Sequence, residues 1–193
     1  MEKRLLITGF DPFGAQTVNP SWKAVEQLPD RIGDYVLCKL ELPTAFGKAA
    51  ALVIEKAEHF CPDMILCIGL AAGRDAITPE RIAVNIRDAR IADNEGQQPR
   101  GDFVIPEGPA AYFVTVPVEK MAQAVQDAQI PGVVSNTVGT FVCNDVLYTL
   151  LHHYAGTQTK VGFIHIPQTP DMGEPSLSLE KVVTALTAAI LAC

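Results

Sequence analysis

Asp63-Met64-Ile65-Leu66-Cys67-Ile68-Gly69 is the stretch whose reading decides the fold. Its apolar residues follow one another without alternation and stop at a glycine. The run is too short for a helix, and a strand with one wet face would alternate. An unbroken run therefore predicts a strand covered on both faces, which is the habit of parallel sheets. Arg4 to Thr8 has the same character, as does Lys160 to Ile166, which is closed by Pro167. Tyr35 to Leu42 and Val133 to Ser135 read as further strands.

Helical spacing fills the intervals. Asn19-Pro20 supplies an N-cap and a first helical position for a helix over Ser21 to Leu28. Thr44 is placed to cap a helix running to Glu58, with Leu52 and Val53 on its apolar side. Val118, Met121, Ala122 and Val125 recur at i, i+3, i+4 and i+7 after Pro117. Asn144 to Tyr154 reads as a helix, and Leu179, Val182, Val183, Leu186 and Ile190 form the inner stripe of a last one. Alternation of this kind predicts a three-layer α/β/α sandwich, with a mostly parallel, twisted sheet and helices on both faces. The chain has 193 residues and is 48% apolar, enough for one full core. With no repeat or linker in view, residues 1–193 are expected to form a single catalytic domain.

One segment departs from the pattern. From Ala71 to Ala110 apolar periodicity fades, and only Arg81 to Ile86 alternates like a strand. An irregular stretch of this length inside a compact domain usually carries function. In parallel α/β sheets, sites form outside the carboxyl ends of the strands. Gly9 to Gly14, Gly69 to Arg90, Asn136 to Cys143 and His165 to Gln168 should therefore converge.

Composition removes several classes. A net charge of −7 without a basic cluster argues against nucleic acid as a partner. No apolar run approaches the roughly 18 residues that span a bilayer, and the N-terminus enters a short strand rather than a signal peptide. The 5 cysteines are widely spaced and contain no Cys-x-x-Cys pair, which disfavours a disulfide framework or zinc site and fits a reducing cytoplasm. The phosphate-loop and dinucleotide patterns are absent, because Gly14 is followed by Ala15-Gln16. No metal or cofactor is implied.

The chemistry gathers around Cys143. Ser135-Asn136-Thr137-Val138-Gly139-Thr140-Phe141-Val142-Cys143-Asn144-Asp145 passes from strand to helix and puts a thiol in a first helical turn. The helix dipole favours thiolate there. Free cysteines are commonly buried hydrophobes, and Cys38 and Cys67 fit that role within strands. Cys143 differs by its helix start and its place at the functional edge. A nucleophilic cysteine needs a base, and His165 ends a strand of the neighbouring β–α unit. Glu80 would orient His165, with Asp75, Asp88 and Asp93 as comparable candidates. Arg74, Arg87 and Arg90 all lie in the irregular stretch, and any of them could join a backbone N–H in holding an oxyanion. Phe10 and Phe13 flank a glycine-rich turn and suit a flat, uncharged ligand.

These blocks resemble the pyroglutamyl peptidase I family. The resemblance runs in order through Leu6-Ile7-Thr8-Gly9-Phe10-Asp11-Pro12-Phe13-Gly14 with Asn19-Pro20-Ser21-Trp22, and Pro79-Glu80-Arg81-Ile82-Ala83-Val84-Asn85. It continues through Asp88-Ala89-Arg90-Ile91-Ala92-Asp93-Asn94, the Cys143 segment and Gly162-Phe163-Ile164-His165-Ile166-Pro167. It implies a cytoplasmic, homotetrameric cysteine exopeptidase acting on peptides with an N-terminal pyroglutamate. The family triad then falls on Glu80, Cys143 and His165, with Arg90 serving the oxyanion. Phe10, Phe13, Thr44, Ile91, Phe141 and Val142 would line the ring pocket, supported by Asn19. Four positions depart from the family pattern. Ala72 stands where the family usually has glycine, and Leu70, counted with the substrate contacts, stands where some members have glutamine. Val138 replaces a smaller alanine, and Asp145 adds a carboxylate beside the nucleophile.

Overall fold

The computed structural model describes residues 2–193. The chain begins in β1 (Lys3–Phe10) and α1 (Pro20–Gln27), then forms β2 (Arg31–Ile32), β3 (Tyr35–Leu42), α2 (Lys48–Phe60) and β4 (Met64–Leu70). Short strands follow: β5 (Thr78–Pro79), β6 (Ile82–Val84), β7 (Arg87–Asp88), β8 (Arg100–Asp102) and β9 (Ala111–Phe113). Helices α3 (Val118–Asp127) and α4 (Val142–His153), strand β10 (Lys160–Ile166), a 3-10 turn (Pro170–Met172) and α5 (Leu179–Leu191) complete it.

The main sheet has the order β2-β3-β1-β4-β10-β5. Its four long strands are mutually parallel, while β2 and β5 pair antiparallel at the two edges. All of β4 is buried, as its unbroken apolar run required. Its side chains alternate between two cores. Met64, Leu66 and Ile68 face the core that includes residues of α1, α3 and α5, whereas Ile65 and Cys67 face the one that includes residues of α2 and α4. This is the three-layer α/β/α arrangement.

The period of two also decides which face carries the chemistry. Val161 and Phe163 of β10 lie in the α2/α4 core, and His165 follows on the same side. In register, Thr8 and Phe163 flank Cys67, and two residues further on His165 stands beside Gly69. The side of His165 is thus the side on which α4 begins.

Two expected elements differ. The α2 helix starts at Lys48 behind Gly47, which has φ 72°, and no side chain caps it. Thr44 instead belongs to the loop after β3, where its N–H donates to Asp11 Oδ1 at 2.7 Å. Residues 133–135 make no named strand. They follow Pro131 along the sheet edge through isolated bridges, Ile77 with Gly132 and Glu80 with Ser135. Only the short β5 is available to pair there, and Val133 is exposed. Within the irregular stretch β7 pairs with β8, and β6 pairs with β9 just beyond its end.

The end of β1 is pressed onto the start of α1. Asn19 caps α1 by accepting from the Ser21 N–H, and the Phe10 N–H donates to Ser21 Oγ at 3.0 Å. A Cβ at Gly9 would lie 2.5 Å from Trp22 Cα, so the approach needs glycine. Gly9→Ala is expected to cost about 1–3 kcal/mol through forced separation of strand and helix. Urea unfolding checks this: the midpoint should fall at unchanged slope, and an unchanged midpoint would show that the contact is soft.

Candidate active site

A cavity of about 240 Å³ opens at the carboxyl edge of the parallel strands. Each of the four segments expected to converge contributes to its wall. Phe10 and Phe13 come from the loop after β1, and Leu70, Ala71 and Arg74 from the end of β4. Thr137 to Gly139, Phe141 and Cys143 come from the approach to α4, and His165 from the end of β10. The wall is largely apolar, with Asn19, Thr44, Arg74, Thr137 and His165 as its polar members beside Cys143.

Cys143 is the second residue of α4. Phe141 stands at the N-cap in an extended conformation without a side-chain cap bond. The first-turn N–H groups, which have no partner inside a helix, are therefore left for other use. The thiol occupies space that glycine vacates. A Cβ at Gly69 would lie 3.1 Å from Cys143 Sγ and 2.8 Å from the Phe163 ring. Burial is the main influence on the thiol. Together with the charges of Cys67 and Glu80, it outweighs the backbone hydrogen bond at the helix start and pushes the pKa up to about 12. The helix dipole favours thiolate, but burial outweighs it and the resting group is a thiol.

His165 is almost fully buried, and its Nδ1 lies 2.7 Å from Glu80 Oε1. Burial holds its pKa below the ordinary histidine value, against the opposing pull of Glu80. The imidazole is then neutral, with Nδ1–H donating to Glu80 and Nε2 left bare as a base. Glu80 is fully buried. Burial raises its carboxyl pKa, but the hydrogen bond and charge of His165, with smaller help from Ser135 and Arg74, bring it below the usual range. Of the four carboxylates named as partners for His165, Glu80 is the one within hydrogen-bond distance of its ring. Asp93 instead accepts the N–H groups of Phe46, Glu95 and Gln97, and Asp75 and Asp88 are exposed.

Aromatic rings frame the far end. Phe13 and Phe141 have centroids 6.2 Å apart, and Phe46 meets Phe141 edge-on at 5.3 Å. On the other side, Phe10 lies 6.3 Å from Phe163, which lies 4.8 Å from His165. Asn19 and Thr44 line the cavity as pegs, because Asn19 Nδ2 and the Thr44 hydroxyl both donate to the Asp11 carbonyl.

Three expected positions lie off the cavity wall. Val142 is fully buried, its side chain packed into the α2/α4 core, so it can serve a ligand only through its backbone. Arg90 and Ile91 are exposed and do not line the cavity. Their loop is nevertheless held beside the start of α4, since Asp88 N–H donates to the Thr140 carbonyl and Thr140 Oγ1 to the Asp88 carbonyl.

The departures from the family pattern resolve locally. Ala72 avoids the left-handed region, which Gly73 adopts at φ 87°. Leu70 and Val138 add apolar surface to the cavity wall. Asp145 is buried and turned away from the thiol, accepting from Arg87 Nε at 2.6 Å and from the Gly47 N–H at 2.7 Å. That commitment takes Arg87 out of the set of oxyanion candidates. Sequence reasoning did not foresee Asp145 as an anchor, nor Asn144, whose side-chain amide bonds the backbone of β6 at Val84. Both lie in the first helical turn, where Asn and Asp often bond backbone.

A thiol and a carboxylate-paired imidazole thus share one cavity wall in an α/β/α domain. The model of the family described as pyroglutamyl peptidase matches residues 3–193, and the chain belongs to that family. It is 48% identical to the pyrrolidone-carboxylate peptidase of Levilactobacillus brevis, over 98% of this chain and 96% of that one. With the Staphylococcus saprophyticus pyrrolidone-carboxylate peptidase it shares 46%, over 97% and 91%. The crystal structure of pyroglutamyl peptidase I from Bacillus amyloliquefaciens superposes with a TM-score of 0.96 at 43% identity, covering 100% of this chain and 95% of that one.

A protonated resting thiol has a direct signature. Alkylation of Cys143 by iodoacetamide should accelerate about tenfold per pH unit between neutrality and pH 9, following the thiolate fraction. Mass spectrometry of the modified peptide gives the rate. A rate independent of pH over that interval would mean a preformed thiolate–imidazolium pair.

Proposed function

We propose that this chain is a cysteine exopeptidase that removes the N-terminal pyroglutamyl residue from peptides, and that residues 1–193 act as one catalytic unit. The observation that carries this reading is a thiol and a carboxylate-paired imidazole sharing one aromatic, largely apolar cavity whose wall carries no carboxylate. A pyroglutamyl lactam has no free amine, so its recognition calls for ring contacts and amide hydrogen bonds rather than a counter-charge. Phe10, Phe13 and Phe141 supply the ring surface.

In the reaction, the lactam enters between the aromatic rings and sets the scissile carbonyl over Cys143. Nε2 of His165 takes the proton from Sγ as the thiolate attacks the carbonyl carbon. The developing imidazolium is stabilised by Glu80 through Nδ1–H. Backbone N–H groups at the start of α4, including that of Cys143, hold the oxyanion. Arg90 closes from the neighbouring loop, a role supported by the Asp88–Thr140 pairing. His165 then donates its proton to the leaving amine as the C–N bond breaks, leaving a thioester. Water, deprotonated by His165, attacks the thioester and releases pyroglutamate with the free thiol.

The cellular setting follows the same family. All 5 cysteines are free, which supports a reducing cytoplasm. No helix among the described residues is long and apolar enough to cross a membrane. A homotetramer is supported by large apolar side chains left on the surface, with Phe103 at 66% and Phe113 at 69% exposure.

Cys143→Ala should reduce cleavage of a pyroglutamyl amide by about a thousandfold or more while leaving the unfolding midpoint in place. A panel that adds simple aminoacyl amides reads the selectivity for the lactam. Full activity in the variant would remove Cys143 from the chemistry. Glu80→Gln should lower kcat by about a hundredfold with KM within twofold, because the amide orients the ring without stabilising its charge. Unchanged turnover would make Glu80 a purely structural acid.

A further inference from the structure

Glu80 has a second partner besides His165. Arg74, on the connection after β4, places Nη1 2.6 Å from Glu80 Oε1 and 2.6 Å from Thr78 Oγ1. Its Nη2 donates to the Thr137 carbonyl at 3.1 Å. Thr78 Oγ1 in turn donates to the backbone carbonyl of His165 at 3.2 Å. One guanidinium therefore touches the acid, the edge strand beside the base and the loop that leads to the nucleophile. Glu80 Oε2 is buried without a partner among the described residues, so Oε1 alone is shared between imidazole and guanidinium.

We propose that Arg74 is a positioning residue that fixes Glu80 against His165 and couples that pair to the loop carrying Cys143. The proposal rests on the catalytic roles given above to Glu80, His165 and Cys143. Arg74 acts through Glu80 and does not touch the reacting atoms. Arginine suits the task because its planar fork reaches three oxygens at fixed angles. Lysine would bring the charge without the fork.

Arg74 also sets the electrical balance of the pair. The groups bearing on His165 and the thiol are Glu80 between β5 and β6, Arg74 after β4, Cys67 within β4 and Cys143 on α4. The guanidinium competes with imidazolium for one carboxylate oxygen and so favours a neutral His165. Without that cation, Glu80 binds the protonated ring more strongly. The imidazole then keeps its proton to higher pH, and the base form is available only above that point.

The test uses the full chain with Arg74→Gln and Arg74→Lys, assayed on a pyroglutamyl amide across pH. For Arg74→Gln the acid limb of kcat/KM should move up by about half a pH unit or more, as loss of a nearby like charge requires. Its kcat should fall at least about tenfold with KM within about twofold, as for a loss felt in the transition state. Arg74→Lys should keep the acid limb near its original position while still losing kcat, because charge survives and geometry does not. A limb that stays in place in Arg74→Gln with kcat unchanged would overturn the proposal. So would a limb that moves equally in both variants. Should Arg74→Gln fail to fold, the kcat and acid limb of Arg74→Lys decide. NMR titration of the His165 ring in the Cys143→Ala chain, with and without Arg74→Gln, is independent of turnover. A higher midpoint without Arg74 supports the role even if pyroglutamyl amides prove not to be substrates, which would overturn the proposed function alone. Coincident midpoints overturn the role.

Discussion

Strand β4 has no face left for water, and its neighbours are arranged accordingly. Its backbone groups need β1 on one edge and β10 on the other, because an unpaired buried N–H or carbonyl costs about as much as a lost hydrogen bond. Its side chains need a helical layer above and another below. Parallel pairing follows from this enclosure, and it brings the carboxyl ends of β1, β3, β4 and β10 to one edge. The cavity is therefore a product of strand direction before it is a product of any single residue. Gly69, one residue before the end of the strand, leaves unfilled the volume that Cys143 Sγ enters.

Electrostatics at that edge work by restraint. The helix start favours an anion at Cys143, yet burial and the nearby Glu80 carboxylate outweigh it, and the thiol keeps its proton. His165 is also neutral, with burial the larger influence and Glu80 the smaller. A neutral pair costs less to bury than an ion pair. The buried Glu80 carboxylate is held through Oε1 by His165 and Arg74.

Much of this could be read from the residues. Unbroken apolar runs announced the parallel strands, Asn19-Pro20 announced α1, and strand–helix alternation gathered the four loops. The side of His165 follows from a count of two along β10, beginning at core residues Val161 and Phe163. What stayed hidden has a common cause. Thr44 resembles a helix cap by composition, but its N–H is claimed by Asp11, which lies 33 positions earlier in the chain. Asp145 resembles a liability until Arg87 and Gly47 come into view. Arg87 likewise looked free for an oxyanion until its partner Asp145, 58 positions later in the chain, came into view. Local propensity carries no information about such bonds, because each is decided by tertiary placement.

The long irregular stretch is bonded within itself and also to other loops. Asn94 reaches back to Asp11 and Pro12, Asp93 holds the Phe46 N–H, Asp88 pairs with Thr140, and Arg74 grips Thr137. The four loops are thus stitched into a single collar around the cavity. This bears on how the molecule can be redesigned. A loop transplanted alone from a relative leaves its old partners unsatisfied on the loops that stay behind, and arrives with donors and acceptors cut for absent neighbours. Specificity in this architecture is inherited by the collar as a whole, so recombination that respects the strands but divides the collar will scramble it.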